Sequence, residues 1–286
     1  MVSKSLNPMQ VRRAFGLASA NYDRHAVVQR EIGDRLLQHM AFTKIEPQRI
    51  LDIGCGTGYF TRLLRQRFRR ADIIGLDLAL PMALQARKQQ PRRRPWQGRT
   101  RFLVGDACLL PFADASFDLV CSNLAMQWVS TPEIMMREMR RVLAPGGLML
   151  FSTFGRRTLE ELRQSLARID PAYEHSVLRF PDVMDLGDAL MQLSVASPVT
   201  DTDLITVTYP NVYALIRELK GLGASASAIA RPVKGLYGRR LLRELERCYP
   251  RNDTGRIQAS FEALYAQAWF KEDALDGMNC IPIRAA

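Results

Sequence analysis

Short apolar runs recur along the first half of the chain, and longer amphipathic segments separate them. Each run is compact and ends near a turn residue or a carboxylate, as buried strands do. The runs cover residues 49–54, 71–77, 101–106, 117–123 and 148–154. Strands that alternate with helices of about 10–15 residues predict an α/β protein with a doubly wound, mostly parallel sheet.

Predicted helices lie before the first strand and between the strands. Residues 11–43 read as helices, because apolar side chains recur there at the 3.6-residue period. Further helices are predicted at 59–68, 80–90 and 132–147. The last of these should end at its Pro-Gly-Gly sequence, since proline and glycine stop helices.

Beyond residue 154 the alternation becomes less regular. An irregular segment is expected at 170–182, and a loop in the Gly/Ala/Ser-rich stretch 221–232. A strand is predicted at 203–210, and the aromatic run 261–270 fits a final antiparallel strand. Helices should fill much of the remainder, at 157–169, 182–193 and 211–223.

The length of 286 residues fits one α/β domain with accessory elements. We expect three parts of that domain: an N-terminal helical segment at 1–45 that covers the active site, a ligand-binding core at 46–155, and lid helices with the remaining strands at 156–286. No apolar run approaches the roughly 18 residues that span a bilayer, and the N-terminus lacks the apolar region of a secretory signal. We therefore expect a cytoplasmic protein that does not bind membranes.

The cysteine spacing and the net charge exclude some classes of site and indicate the kind of partner. Five cysteines, at positions 55, 108, 121, 248 and 280, are too scattered for a disulfide framework or a zinc site, so no metal is expected. The net charge is +11, and residues 78–105 contain no acid. Such a basic excess favours an acidic partner, which leaves nucleic acid, an acidic protein and an anionic substrate open.

A glycine-rich turn follows the first predicted strand. Gly54, Gly56 and Gly58 alternate with other residues, and Asp52 precedes them by two positions. Ligands of open parallel sheets bind beyond the carboxyl ends of the strands. The dinucleotide fingerprint has a longer glycine spacing, and a carboxylate here would repel a pyrophosphate. A ligand with an ammonium group and no phosphate fits better, and S-adenosylmethionine is such a ligand.

Two more carboxylates end the next two predicted strands. Asp77 can accept hydrogen bonds from the vicinal hydroxyls of a ribose. Asp106 can accept from the 6-amino group of adenine, while the N–H of Ala107 donates to a ring nitrogen, and Leu78 and Leu109 can pack against the base. The alternative is that Asp77 and Asp106 only cap the helices that follow them.

Four stretches of the sequence resemble successive motifs of class I S-adenosylmethionine-dependent methyltransferases. They are "ILDIGCGTG", "GLDLALPMALQAR", "GDACLLPFADASFDLVCSNLAMQW" and "EMRRVLAPGGLMLFSTF". The resemblance covers residues 49–154 and implies a seven-stranded Rossmann-like fold with S-adenosylmethionine as cofactor. The flanking segments "VRRAFGLASANYDRHAVVQREIGDRLL", "VLRFPDVMDLGDAL" and "TVTYPNVYALIRELKGLGAS" resemble the malonyl-acyl carrier protein O-methyltransferases of biotin synthesis.

The resemblance implies that the free carboxylate of a malonyl group on acyl carrier protein is methylated, so that fatty-acid elongation accepts the chain up to the pimeloyl stage. A carboxylate is already ionised at pH 7, so no general base is expected. Tyr22 is expected to close the pocket or to orient the carboxylate, and Arg179 to bind it. Asn123, Gln127 and Trp128 follow the fourth strand, where such enzymes line the methyl-transfer site. For Tyr22 and Trp128 a packing role is the alternative, and for Arg179 a surface position.

Acyl carrier protein is acidic, so the basic excess fits it as a partner, with malonyl-coenzyme A as the other possible carrier. We expect docking on Lys220, Arg231, Lys234, Arg239 and Arg240, by a monomer that binds no nucleic acid. Three other functions stay open at this point. They are a methyltransferase-fold arginine hydroxylase of complex I assembly, a small-metabolite methyltransferase, and a nucleic-acid binder.

Overall fold

The computed structural model describes residues 7–41, 43–193, 195–223 and 236–270. Seven strands form one sheet within these residues, in the order β3-β2-β1-β4-β5-β7-β6. The strands are β1 (Arg49–Ile53), β2 (Asp72–Asp77), β3 (Thr100–Val104), β4 (Phe117–Asn123), β5 (Leu143–Phe154), β6 (Val195–Tyr209) and β7 (Ile257–Phe270). β1 to β5 pair in parallel, whereas β7 pairs antiparallel to both β5 and β6. The predicted doubly wound, mostly parallel α/β sheet is confirmed.

Ten helices accompany the sheet in the described residues. They are α1 (Pro8–Ala18), α2 (Tyr22–His25), α3 (Val27–His39), α4 (Tyr59–Arg67), α5 (Leu80–Gln89), α6 (Pro132–Val142), α7 (Glu160–Ile169), α8 (Val183–Met191), α9 (Val212–Gly221) and α10 (Leu236–Cys248). Short 3₁₀ turns occupy Met126–Trp128 and Pro171–Ser176. None of the helices in the described part of the chain is long and apolar enough to cross a bilayer.

Successive side chains of each strand point to opposite faces of the sheet, so a hydrophobic core forms on each face. On β1, Ile50 packs with α3, α4, α7 and α9, while Leu51 packs with α6 and α8. On β5, Leu150 lies on the same face as Ile50, and Phe151 lies on the same face as Leu51. Because successive side chains of a strand point to opposite faces, Asp52 lies on the side of Ile50, beneath α3 and α4. A carboxylate is thereby carried into an otherwise apolar layer.

The strand order reverses between β1 and β4, since β1 pairs with β2 on one side and β4 on the other. At such a reversal the loops after the two strands diverge, and a crevice opens beyond their carboxyl ends. The glycine-rich turn after β1 and the segment after β4 therefore face the same space. This edge of the sheet positions the candidate site.

Two sequence-based boundaries described above differ from the structure. The helix predicted to be stopped by Pro145–Gly147 already ends at Val142, because β5 begins at Leu143 and passes through the Pro-Gly-Gly sequence. A register shift in the β4–β5 pairing accommodates these residues. β6 begins at Val195, well before the predicted strand. The antiparallel strand predicted at 261–270 is confirmed, whereas most of the loop predicted at 221–232 lies outside the described residues.

Candidate active site

Two adjoining cavities lie at the carboxyl ends of the parallel strands. The larger, which we call the strand-end cavity, has a volume of about 200 Å³. The smaller, called the inner cavity, has a volume of about 50 Å³. Tyr22, Gly54, Gly56 and Asn123 line both cavities, so the two spaces adjoin one another.

The turn after β1 forms the floor of both cavities. Gly54 and Gly56 have φ angles of +71° and +55°, in the left-handed region that favours glycine. A Cβ on Gly54 would lie 2.2 Å from the Cβ of Ala125, so this position also requires glycine for packing. At Gly56, by contrast, an added Cβ would meet no atom within 4 Å. The turn is thus fixed against the protein on one side and leaves open space for a ligand on the other.

Asp77, at the end of β2, holds this turn in place. One carboxylate oxygen accepts from the backbone N–H of Gly56 at 2.9 Å, and the other from that of Ala79 at 2.8 Å. Burial raises the pKa of Asp77, against the lowering effect of these two hydrogen bonds. Each carboxylate oxygen can accept more than one hydrogen bond, so Asp77 can hold the turn and still bind a ligand in the strand-end cavity that it lines.

Asp52 lies beneath the same turn and is 1% exposed. Its Oδ2 accepts from the hydroxyl of Thr61 on α4, while its Oδ1 is buried without a partner among the described residues. Burial, together with the negative charge of Asp77, raises the pKa of Asp52 to about 7, against the lowering effect of the Thr61 hydrogen bond. Asp52 lines the inner cavity. A hydrogen-bond donor in this cavity would therefore stabilise the unpartnered Oδ1, and a positively charged donor would stabilise it most.

The turn after β3 contributes the third predicted carboxylate. Asp106 and Ala107 line the strand-end cavity, as does Leu78 after β2. Asp106 Oδ1 accepts from the N–H of Cys108 at 2.8 Å, which fixes the turn locally. Leu109 is 78% exposed and is not part of the cavity lining, so the structure does not bring it to the position predicted for it.

Helices α1 and α2 cover the cavities; we call residues 8–25 the cap. Phe15 of α1 packs edge-on against Trp128, with ring centroids 5.2 Å apart, and both side chains line the strand-end cavity. Tyr22 lies between the two cavities. Burial, together with the negative charges of Asp77 and Asp23, raises the pKa of Tyr22. The hydroxyl of Tyr22 therefore stays protonated and can donate a hydrogen bond.

Asp23 fastens the cap to the glycine-rich turn. Its two carboxylate oxygens accept from the hydroxyl of Thr57 and from the side-chain amide of Gln89, both at 2.6 Å. Arg30 donates to the backbone carbonyl of Asp23 at 2.5 Å. Because charge-assisted hydrogen bonds are the stronger kind, this single carboxylate joins three elements: α2, the turn before α4, and α5.

Of the predicted residues that follow β4, Asn123 lines the cavities, whereas Gln127 stabilises the turn beside them. Asn123 donates from its amide to the backbone carbonyl of Gln29 on α3, at 3.0 Å, and accepts from the hydroxyl of Ser152 at 2.8 Å. Gln127 donates to the carbonyl of Leu124, and does not belong to the described lining of either cavity. Asn123 therefore connects α3, β4 and β5 beside the cavities, while Gln127 supports the turn that carries Trp128.

Arg179 is not brought to the cavities. It lies after the second 3₁₀ turn, where its guanidinium pairs with Glu174 at 3.1 Å and its side chain is 62% exposed. Its role as a carboxylate ligand stays a prediction without structural support. Gly58, also predicted as a ligand residue, precedes α4 and packs against Ala86 of α5 rather than lining a cavity.

Several polar residues at the cavities were not identified from the sequence, and three of them lie on helices α1 and α3. Arg12 lines the strand-end cavity, and Gln29 and Arg30 line the inner cavity. Each lies on an amphipathic helix, where a polar residue facing a cavity has the same spacing as one facing solvent. The cap that positions Arg12 depends on Asp23, whose contacts with Thr57 and Gln89 are also non-local.

Comparison with known proteins gives a consistent result. Residues 51–151 match the family model described as a methyltransferase domain. The malonyl-[acyl-carrier protein] O-methyltransferase of Halorhodospira halophila is 40% identical over 99% of this chain and 92% of its own. That of Laribacter hongkongensis is 42% identical over 91% of this chain and 88% of its own. A putative methyltransferase from Bacillus halodurans shares the fold, with a TM-score of 0.59 at 16% identity over 84% of this chain and 99% of its own.

Removal of the Asp23 carboxylate will loosen the cap while leaving the sheet intact. In Asp23→Ala, Thr57 and Gln89 lose their shared acceptor. We expect amide hydrogen exchange in residues 8–25 to become about tenfold faster or more, as the loss of a charge-assisted hydrogen bond predicts. Exchange followed by mass spectrometry measures this directly.

The matched control is Asp34→Ala, which removes an acceptor of the Tyr59 hydroxyl between α3 and α4, outside the cap. The control should leave exchange in the cap unchanged. Cap exchange in Asp23→Ala that equals that of the unaltered protein would contradict the account.

Proposed function

The chain belongs to the family of malonyl-[acyl-carrier protein] O-methyltransferases, and from that premise we propose that it methylates the free carboxylate of a malonyl group on acyl carrier protein. It is an S-adenosylmethionine-dependent methyltransferase. One observation supports the proposal most: the strand-end cavity brings Asp77 and Asp106 together with cap residues Phe15 and Tyr22. In our proposal the methyl donor and its acceptor meet beneath the cap.

The residues present fit S-adenosylmethionine. Asp77 faces the cavity with remaining acceptor capacity for ribose hydroxyls, and the open space beside Gly56 allows a ligand to approach the backbone. Asp106, Ala107 and Leu78 lie where an adenine would follow the ribose. The unpartnered oxygen of Asp52 matches an ammonium group. We assign the nucleoside to the strand-end cavity on these grounds.

Methyl transfer to a carboxylate requires no residue of the protein to remove a proton. When bound, S-adenosylmethionine supplies an electrophilic methyl group on a positively charged sulfur, and a carboxylate that takes this methyl becomes a methyl ester without losing a proton. A carboxyl group with a pKa of about 4 is already ionised at neutral pH. The residues of the chain therefore act by holding the acceptor, orienting it and removing water from it.

In our proposal the cap holds the acceptor, orients it and removes water from it. Phe15 and Trp128 form an apolar wall on the strand-end cavity, which favours a desolvated carboxylate over a hydrated one. The protonated hydroxyl of Tyr22 can donate to one carboxylate oxygen and leave the other free. Closure over both ligands then depends on the Asp23 contacts that fasten the cap.

Arg12 is our candidate for binding the malonyl carboxylate, in place of Arg179. Arg12 is the one cationic side chain in the described lining of the strand-end cavity, whereas Asp77 and Asp106 would repel a carboxylate. Its guanidinium pairs with no carboxylate among the described residues, so it can bind an incoming anion. It lies one turn before Phe15 on α1 and is exposed, so an acceptor can reach it from solvent.

The acyl carrier protein needs a positive surface near this entrance. Lys220 lies in the last turn of α9 next to the cap, since a Cβ on the neighbouring Gly221 would lie 2.2 Å from the His25 ring. Arg239 and Arg240 are exposed on α10, which packs against α9. Arg231 and Lys234, the other members of the predicted docking surface, lie outside the described residues. This arrangement supports docking beside the cap.

A second basic surface extends from Arg62, in the first turn of α4, to the opposite end of the sheet. Eight arginines line a groove of about 590 Å³ there: Arg62, Arg65, Arg69, Arg92, Arg93, Arg94, Arg99 and Arg101. Arg99 directly precedes β3, whereas Gly105 and Asp106 follow it at the strand-end cavity, so the length of a strand, about 17 Å, separates the two. A carrier bound in the groove would face away from the cavity, so we assign docking to the surface beside the cap.

The names of the relatives do not favour the hydroxylase, small-metabolite or nucleic-acid alternatives. Under our proposal the methyl ester masks the charge of the malonyl group, so that chain elongation treats it as an ordinary acyl chain. In our proposal the protein acts in the cytoplasm, at the start of pimeloyl synthesis for biotin.

Mass analysis of the carrier tests the proposal. We expect malonyl-acyl carrier protein to gain one methyl group when incubated with the protein and S-adenosylmethionine. Acetyl-acyl carrier protein has no free carboxylate and should gain none. A parallel reaction with malonyl-coenzyme A compares the two carriers. An unchanged malonyl-acyl carrier protein, with protein shown to bind the cofactor, would contradict the proposal.

Replacement of Arg12 tests the carboxylate assignment. In Arg12→Ala we expect the KM for malonyl-acyl carrier protein to rise about 10- to 100-fold, as the loss of a hydrogen bond to a charged group predicts, while the KM for S-adenosylmethionine is unchanged. Added guanidinium ion should restore part of the activity, which a merely structural role would not predict.

The control for this experiment is Arg13→Ala, since Arg13 is exposed on the same helix and does not line the cavity. Steady-state kinetics that show equal effects in both variants, or a higher KM only for S-adenosylmethionine, would disprove the role of Arg12.

A further inference from the structure

The groove of the second basic surface, which we call the arginine groove, concentrates positive charge that the methyl-transfer site does not use. Its described lining contains eight arginines and neither aspartate nor glutamate. None of the eight guanidiniums forms an ion pair among the described residues. Because like charges at this density repel one another, the groove favours the binding of an anion.

One buried arginine joins the two walls of the groove. The guanidinium of Arg65, on α4, donates to the backbone carbonyls of Phe68 and Arg69 on one wall, at 3.2 and 2.9 Å. On the other wall it donates to the carbonyl of Arg99 at 2.8 Å. The two segments that carry the exposed arginines are therefore held at a fixed separation.

The loop between α5 and β3 is also held in place. The backbone N–H of Arg94 donates to the side-chain carbonyl of Gln97 at 2.9 Å, and the guanidinium of Arg93 donates to the backbone carbonyl of Gln97 at 2.8 Å. A Cβ on Gly98 would lie 2.0 Å from the carbonyl oxygen of Ala71, so the loop packs directly against the segment before β2. The arginine groove is thus formed by the fold itself.

Four exposed arginines of the groove have guanidiniums without a hydrogen-bond partner among the described residues. They are Arg69, Arg92, Arg99 and Arg101. A guanidinium presents its N–H donors as a planar fork, which binds a phosphate group through two parallel hydrogen bonds. Several such forks around one groove match a ligand that carries several phosphate groups.

An exposed indole lies beside these arginines. Trp96 lines the groove and is 63% exposed, and the guanidinium of Arg94 lies 5.6 Å from its ring centroid. Aromatic side chains bind nucleic-acid bases by stacking. Because Trp96 is the one aromatic residue in the described lining, it can stack a single base and not a run of bases. The volume of about 590 Å³ lies in the range of small-molecule sites.

We propose that the arginine groove binds a nucleoside triphosphate, with its phosphates on the exposed arginines and its base on Trp96. The described lining of the groove shares no residue with that of the strand-end cavity or the inner cavity. The nucleotide site is therefore separate from the methyl-transfer site, and it does not depend on which acceptor is methylated.

Titration calorimetry with ATP tests this site. Magnesium is left out so that the phosphate charges are free, and S-adenosylhomocysteine is present at saturation so that the strand-end cavity is occupied. We expect ATP to bind, and to bind more weakly as the salt concentration rises. In Arg69→Ala and in Arg92→Ala we expect the affinity to fall about tenfold or more, the effect of losing a hydrogen bond between charged groups.

The matched control is Arg70→Ala. Arg70 is exposed and follows Arg69 directly, but it is not part of the described lining of the groove. This variant should bind ATP as tightly as the unaltered protein. Thermal unfolding without ligand checks that each variant is folded.

Inorganic triphosphate separates the contribution of the base from that of the phosphates. We expect Trp96→Ala to weaken ATP binding about tenfold, the effect of losing one stacked base, and to leave the affinity for inorganic triphosphate unchanged.

No binding of ATP at millimolar concentration would overturn the proposal, as would equal losses in Arg69→Ala and Arg70→Ala. Inorganic triphosphate that binds as tightly as ATP, with no effect of Trp96→Ala on either, would overturn the assignment of a nucleotide. A single-stranded oligonucleotide that binds through Arg69 and Arg92 while ATP does not would overturn it in favour of a nucleic-acid surface.

Discussion

The site depends on one buried negative charge that the chain itself does not neutralise. Asp52 lies on β1 between two parallel strands, is 1% exposed, and has a hydroxyl from Thr61 as the partner of one oxygen only. Burial opposes the charge, while the glycine-rich turn above it leaves space rather than a side chain. A carboxylate in this setting gains most from a cation that arrives with a ligand. The geometry of the turn and the selection of the cofactor are thus consequences of the same buried group.

The cap and the sheet are coupled at the same place. Asp23 joins α2 to the turn through Thr57 and to α5 through Gln89, and Asn123 joins α3 to the end of β4. The cap therefore cannot close correctly unless the turn is formed, and the turn is held by Asp77. In our account this coupling lets cofactor binding prepare the acceptor side of the cavity, because the helices that carry the carboxylate-binding groups rest on the loop that holds the cofactor.

The sequence predicted the sheet and the strand-end carboxylates because both depend on local pattern. Asp52, Asp77 and Asp106 follow apolar runs directly, and parallel strands bring their ends to one edge. Side chains on the helices were less predictable: Gln29 is set at the inner cavity by the packing of α3, and its spacing alone does not distinguish it from an exposed glutamine. Arg179 illustrates the reverse, since an arginine in an irregular segment found a local partner in Glu174 instead of the cavity.

Proton exchange on cofactor binding tests the role of the buried charge most directly. In the ligand-free protein the pKa of Asp52 is raised to about 7, so at about pH 6 the group is mostly protonated. An ammonium group that pairs with Asp52 lowers this pKa and drives the proton off. Calorimetric titration with S-adenosylhomocysteine at that pH, in buffers of different ionisation enthalpy, should show proton release that is lost in Asp52→Asn. Proton uptake, or equal release in both proteins, would contradict the account.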